Sequence, residues 1–166
     1  MSTNEGLLAL LDEAFDRRSW HGTNLRGSLR GVTVGQAAWR PAVAQASARK
    51  AHLRHNIWEL MVHAAYWKYD VRRRLTGQHG RSFAIEGSNF WERPLKGTPA
   101  EWRADLALLE AEHRQLRAAV GAFPSARWTR RAPGKPFTFE GLVRGVAAHD
   151  LYHAGQIQLL RRLQGS

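Results

Sequence analysis

Apolar residues recur every three to four positions in four segments of this chain, the spacing that places them along one face of an α-helix. The segments cover residues 4–18, 53–75, 99–120 and 139–163. None of the chain shows the alternation of apolar and polar residues that is typical of a strand. The pattern therefore predicts an all-α four-helix bundle, formed as a single domain by residues 1–166.

Residues that favour helix ends flank these segments. Ser2 and Glu5 form a capping box before the first segment. Thr98 and Glu101 do the same before the third, with proline at the first helical position. Gly77 is placed to end the second segment.

The connections between the helices are long. Residues 19–41 are predicted to be a loop with one short helical turn, which begins after Thr33 and ends before Pro41. Residues 78–97 form a second connection with several aromatic residues. Loops of this length in compact domains commonly contribute to a site, and the sequence leaves open whether this one folds over one.

Composition excludes several classes of protein. The chain has no cysteine, which excludes disulfides, cysteine-type zinc sites and a cysteine nucleophile, so any thiol in the chemistry comes from outside the protein. No stretch long enough to span a membrane is free of charge. The first residues include acidic side chains and no positively charged leader, so the expected compartment is the cytoplasm.

The charge balance is strongly basic. There are 25 Lys and Arg residues against 14 Asp and Glu, a formal net charge of +11. Such a balance would suit an anionic partner, but the basic residues are scattered and no nucleic-acid-binding motif accompanies them. A solvated basic surface is the favoured interpretation, and nucleic acid is not an expected partner.

Two histidines lie four residues apart in the last segment. His149 and His153 share one helix face, in line with an apolar stripe formed by Leu142, Val146, Gln156, Leu160 and Leu163. Two imidazoles so placed can bind one divalent ion, or they can be core histidines with hydrogen-bond partners. A zinc protease would need glutamate after the first histidine. Asp150 is shorter and off the ligand face, so we interpret it as a surface acid near Arg or Lys.

A third ligand would complete a metal site. His63 is the best candidate, because it lies at the edge of the apolar stripe of the second segment. His113 falls on what is predicted to be a polar face. The others are placed near a helix start, where they are expected to be solvated, or in loops: His52, His55, His79 and His21.

Three motifs carry a resemblance to a known family. They are WHGTNL at residues 20–25, HNIWELMVHAAYW at 55–67 and HDLYHAGQIQLLRR at 149–162. The chain resembles the DinB/YfiT-like superfamily over nearly its whole length. Members are four-helix bundles described as metal-dependent enzymes, with one histidine in the second long helix and an H-x-x-x-H pair in the last.

The resemblance has consequences for the site and the assembly. It implies that His63, His149 and His153 are the metal ligands. It also implies an up-down-down-up order of helices and a homodimer. Three imidazoles on one ion leave coordination positions open, as in catalytic sites. The ligand set suits Zn²⁺ or Ni²⁺ best, with Fe²⁺ and Mn²⁺ as further candidates.

The leading functional hypothesis is an enzyme that transfers a low-molecular-weight thiol to an electrophilic small molecule, as in detoxification or stress responses. The resemblance implies such thiols as bacillithiol or mycothiol. One alternative is a hydrolase in which the metal activates water. Another is a stress-related protein without enzymatic activity that binds a metal, a ligand or nucleic acid.

Residues beside the histidines are candidates for catalytic and substrate-binding roles. Glu59 lies four positions before His63 and could act as a general base, hold an imidazole N–H, or form a surface ion pair. Three residues are candidates for the wall of a substrate pocket: Trp20, His21 and Tyr152. Trp67 is assigned to packing.

Overall fold

The structure is a computed structural model that describes residues 2–41, 54–78, 82–87 and 89–165. These ranges contain no strand and six α-helices. The helices are α1 (Thr3–Phe15), α2 (Leu25–Leu29), α3 (Val34–Ala38), α4 (Ile57–Thr76), α5 (Pro99–Gly121) and α6 (Phe139–Leu163), with a 3₁₀ turn at Ser125–Arg127. The predicted all-α bundle of four long helices is confirmed.

Three side-chain hydrogen bonds between helix ends fix the directions of the long helices. The start of α1 meets the end of α5, the starts of α4 and α5 meet each other, and the end of α4 meets the residues just before α6. The bonds are Asn4 Nδ2 to Val120 O (3.0 Å), Trp58 Nε1 to Asp105 Oδ2 (2.7 Å) and Arg74 Nη1 to Pro133 O (3.2 Å). The order is therefore up-down-down-up, as the resemblance implies.

Local capping signals place most helix ends. The predicted capping boxes of α1 and α5 are both formed. Gly77 ends α4 with φ of 68°, a left-handed conformation that glycine adopts without steric cost. α4 begins at Ile57 rather than near residue 53, because the Asn56 side chain accepts a hydrogen bond from Glu59 N and caps the helix there.

The loop predicted for residues 19–41 contains a helix that was missed. The turn after Thr33 is confirmed as α3, with Thr33 as its N-cap. α2 has only five residues and includes Gly27, so its helical periodicity is too short to detect. Its Leu25 and Leu29 are buried in the core, and packing against α6 holds it in place.

The buried face of α6 is rotated from the predicted stripe. Leu163 is exposed, and Leu142 and His149 lie at the edge of the core. The face at the centre is formed by Phe139, Val143, Val146, Ala147, Asp150, His153, Ala154, Ile157 and Leu160.

No helix in the described residues is both long enough and apolar enough to cross a bilayer.

Two polar residues lie in the core, contrary to prediction. Asp150 is not a surface acid: its side chain is 0% exposed and forms an ion pair with the equally buried Lys68 of α4. His113 is not on a polar face: it is buried and stacks on Phe15 with ring centroids 3.8 Å apart. Each polar side chain is buried because a residue from another helix covers it. The Lys68 ammonium also lies 4.9 Å from the centre of the Phe15 ring.

Candidate metal centre

Antiparallel packing of α4 and α6 brings three histidines together. His149 Nε2 lies 3.0 Å from His63 Nε2 and 2.9 Å from His153 Nε2. The two α6 histidines are one helical turn apart, so both rings reach the same point beside α4. The three ligand atoms lie within 4.8 Å of one another, in a group that could hold a metal ion.

Two of the rings are oriented through their other nitrogen. His63 Nδ1 lies 2.8 Å from the backbone carbonyl oxygen of Asn89, and His153 Nδ1 lies 2.6 Å from Oε1 of Gln156. Because both partners are acceptors, each Nδ1 carries the proton and donates it. The Nε2 atoms of His63 and His153 therefore direct their lone pairs toward the point between the three rings, as metal-binding histidines do. We call this group of His63, His149 and His153 the centre.

Burial keeps these imidazoles neutral at physiological pH. Burial, together with the neighbouring histidines, lowers the pKa of His63 to about 4 and that of His149 to about 3. Burial also lowers the pKa of His153, against the opposing effect of its hydrogen bond to Gln156. Metal binding requires the neutral form, so no proton has to be removed at pH 7.

The donor set fits a divalent transition metal. His149 Nε2 faces two neighbouring nitrogens and can donate a hydrogen to only one of them, which leaves lone pairs opposed in a buried site. A cation between the three atoms removes that conflict. Two nitrogens on one tetrahedral Zn²⁺ lie about 3.3 Å apart, from a bond length of about 2.05 Å. The two separations from His149 Nε2 are only a few tenths of an ångström shorter.

The connection before α5 contacts the centre. Phe90 is sandwiched between two histidine rings, at 3.9 Å from His63 and 3.7 Å from His55, and is nearly parallel to both. The preceding residue, Asn89, supplies the carbonyl that holds His63 Nδ1. Part of the predicted connection at residues 78–97 therefore lies on the site. The His55 side chain is 34% exposed, instead of being fully solvated as predicted.

Glu59 supports this connection. It is buried, and its carboxylate accepts hydrogen bonds from Arg40, from the backbone N–H groups of Asn56 and Arg93, and pairs with His55. Within the described residues it forms no hydrogen bond with His63 or the two α6 histidines. Its position couples the start of α4 to the loop that orients His63.

The three candidate pocket residues lie in different places. Tyr152 is exposed beside the centre: its ring is 5.2 Å from that of His153, and its Oη accepts from Gln156 Nε2 at 3.2 Å. Trp20 is 100% exposed. His21 lines a shallow groove with Gly155 of α6, which none of the three clustered histidines lines.

Some relevant residues had no sequence signal. The Asn89 contact uses a backbone carbonyl, which any residue would supply. Gln156 was identified as part of the α6 stripe, and its position three residues after His153 is the one signal that could have indicated its contact. His52 and His79 lie outside the described residues.

The fold and the site together indicate a class of protein: a four-helix bundle with a three-histidine metal centre. The sequence model of the DinB superfamily matches residues 17–157, a range that contains all three histidines. The chain therefore belongs to the DinB superfamily. Neither the curated proteins nor the solved structures gave a match to it. Family and centre together are consistent with a metal-binding enzyme.

Proposed function

We propose that this protein is a metal-dependent enzyme that transfers a low-molecular-weight thiol to an electrophilic small molecule. The observation that carries the proposal is the convergence of three neutral imidazole Nε2 atoms at one point. Two of them are held in the tautomer that presents a lone pair. Only part of the coordination sphere of a metal would be filled by these residues.

His63, His149 and His153 would hold the ion, with Zn²⁺ or Ni²⁺ favoured by an all-imidazole donor set. When bound, such an ion would act as a Lewis acid and would favour the deprotonated form of a thiol at neutral pH. The residues around it orient the ligands: Asn89 and Gln156 fix two rings, and the Phe90 ring covers one face of His63.

The reaction is a substitution without redox change. The thiol R–SH and the electrophile R′–X give R–S–R′ and HX: a carbon–sulfur bond forms from the sulfur electron pair, and the carbon–X bond breaks as X leaves with its pair. The thiol proton passes to solvent. Since the chain has no cysteine, the thiol is a separate molecule, and no protein thiol competes with it.

Hydrolysis is less well supported. A metal hydrolase commonly uses a general acid or base beside the centre. Glu59 is occupied by Arg40, His55 and two backbone N–H groups. No carboxylate in the described part of the chain forms a hydrogen bond with a clustered histidine. Thiol transfer depends less on such a group, because a thiol with an ordinary pKa of about 8.5 is much closer to ionisation at neutral pH than water is.

The test compares thiol transfer with hydrolysis on the same protein. Metal-loaded wild type is incubated with bacillithiol, mycothiol or glutathione and chlorodinitrobenzene, and separately with p-nitrophenyl acetate alone. His153→Ala removes one proposed ligand, and His21→Ala is the matched control at an exposed histidine outside the centre.

We expect metal-dependent conjugation with at least one thiol, lost in His153→Ala and retained in His21→Ala. No rate above that of the metal-free protein with any of the thiols would overturn the proposal. Ester hydrolysis without conjugation would move the assignment to a hydrolase.

A further inference from the structure

We propose that a cleft beside His149 binds a small apolar carboxylate, with Lys135 meeting the carboxylate group. The cleft would hold the body of the electrophile. Its role in catalysis therefore rests on the proposed function, whereas ligand binding to it does not.

The cleft lies between the second half of α4 and the first half of α6. It has a volume of about 320 Å³, which is at the small end of the range for ligand pockets. Its walls are mostly apolar or aromatic, with two glycines on the α6 side. The apolar and glycine residues are Trp67, Val71, Phe137, Gly141, Leu142, Gly145 and Val146.

The cleft adjoins the three-histidine centre. His149 belongs to both, and Trp67 lies one helical turn after His63 on α4. The Trp67 ring contacts His63 and His149 edge-on, with centroids 6.2 Å and 6.1 Å apart. Trp67 is therefore more than a packing residue: it lines the cleft and contacts two histidines of the centre.

A tight turn before α6 holds Lys135 and Phe137 at the rim of the cleft. Arg131 and Thr138 pair as an isolated β-bridge, and Ala132 N donates to Phe137 O at 3.0 Å. This turn sets Lys135 and Phe137 beside the start of α6. Phe137 is 58% exposed, a large apolar area on the rim that a bound ligand would cover.

The charges of the cleft favour an anion. Asp70 is its one acidic residue, and its carboxylate is already bonded to Arg73 and Arg74. The Lys135 ammonium lies 5.9 Å from the centre of the Trp67 ring. No carboxylate among the residues that the structure describes pairs with it. An apolar body in the cleft would place a terminal carboxylate within its reach.

Gly145 offers a way to fill the cleft without touching the centre. It lines the cleft, and a Cβ added there would meet nothing within 4 Å. Gly155 is its matched control: it also lies within α6, has the same open space, and lines the groove of His21. Leucine at either position favours the helix more than glycine does, so both variants are expected to fold.

The experiment measures naphthoate binding to the full-length protein by calorimetry, with naphthalenemethanol as the uncharged probe. We expect wild type to bind naphthoate and Gly145→Leu to weaken binding at least about tenfold. Gly155→Leu is expected to bind as wild type does. Lys135→Met should weaken naphthoate binding about three- to fivefold and leave naphthalenemethanol unaffected. Circular dichroism checks the fold of each variant.

Repeating the titration after metal removal separates the cleft from the centre. Binding of similar strength with and without metal supports the cleft, whereas binding that needs the metal means the carboxylate lies on the ion and overturns the proposal. Absence of naphthoate binding, or equal weakening in both leucine variants, also overturns it. Naphthoate binding without thiol transfer would contradict the proposed function and leave the cleft assignment standing.

Discussion

Replacing His113 by phenylalanine is expected to make the stability of the fold less sensitive to acid. The His113 ring is buried against Phe15, and its Nδ1 has no hydrogen-bond partner in the described structure. Burial, together with the positive charges of Lys68, Arg117 and Arg114, lowers its pKa from 6.5 to about 2. The folded state therefore leaves this imidazole neutral far below the pH at which the unfolded chain protonates it.

The size of the effect follows from that difference. Because the folded-state pKa is depressed, the unfolded state binds the extra proton below pH 6.5, and stability is lost as the pH falls through that value. Between pH 7 and pH 5 the loss is about 2 kcal/mol, from about 1.4 kcal/mol for each unit below the unfolded pKa. Phenylalanine has no proton to bind, so this part of the pH dependence disappears.

Urea unfolding at pH 7 and pH 5, in the presence of a chelator, measures the difference for wild type and His113→Phe. Any cost of the larger ring is common to both pH values and cancels. The free energy of unfolding should fall by about 2 kcal/mol less in the variant than in wild type. His21→Phe, at an exposed histidine, should keep the wild-type dependence. An equal fall in wild type and His113→Phe would refute the assigned burial.

Four further substitutions test the fold and the site. Lys68→Met leaves Asp150 buried without its partner and should lower the free energy of unfolding by about 3–5 kcal/mol in urea titrations; an effect below about 1 kcal/mol would contradict the buried ion pair. Gly77→Ala should destabilise by about 1 kcal/mol because of its positive φ, whereas Gly145→Ala, in helical backbone with open space, should stabilise by up to about 1 kcal/mol; effects of the same sign would contradict this. Glu59→Gln should leave metal content unchanged and should not lower the rate of p-nitrophenyl acetate hydrolysis. A rate about tenfold lower than that of wild type would show that Glu59 acts as a general base.

Helix positions were predictable because their signals are local. The capping boxes at Ser2 and Thr98 and the glycine at residue 77 act within a few residues, and the structure has all three. The long periodic segments likewise determined the four main helices. α2 lacked both length and pattern, so only its packing in the folded protein reveals it.

Buried polar residues were not predictable because their partners come from distant parts of the chain. Asp150 is 82 positions from Lys68, and His113 needs the ring of Phe15 from another helix. A pattern that counts only apolar residues assigns both to the surface. The same error shifted the predicted stripe of α6 away from its true centre at Asp150.

The histidine centre was only partly predictable. The i, i+4 spacing of His149 and His153 indicated a shared face. The apolar stripe of the second segment made His63 the best candidate for a third ligand. Only the resemblance joined it to the pair, since spacing within one helix says nothing about its neighbour. The homodimer also came from the resemblance. It stays a prediction, which light scattering on the purified protein would test.

The most direct test of the account is the metal content per chain after purification without chelators, for wild type, His153→Ala and His21→Ala. We predict about one equivalent of a transition metal in wild type and in His21→Ala, and its loss in His153→Ala, because the three-histidine centre has a single position for an ion. No metal in wild type, and none taken up when Zn²⁺ or Ni²⁺ is added, would contradict the account and leave the three histidines as core residues.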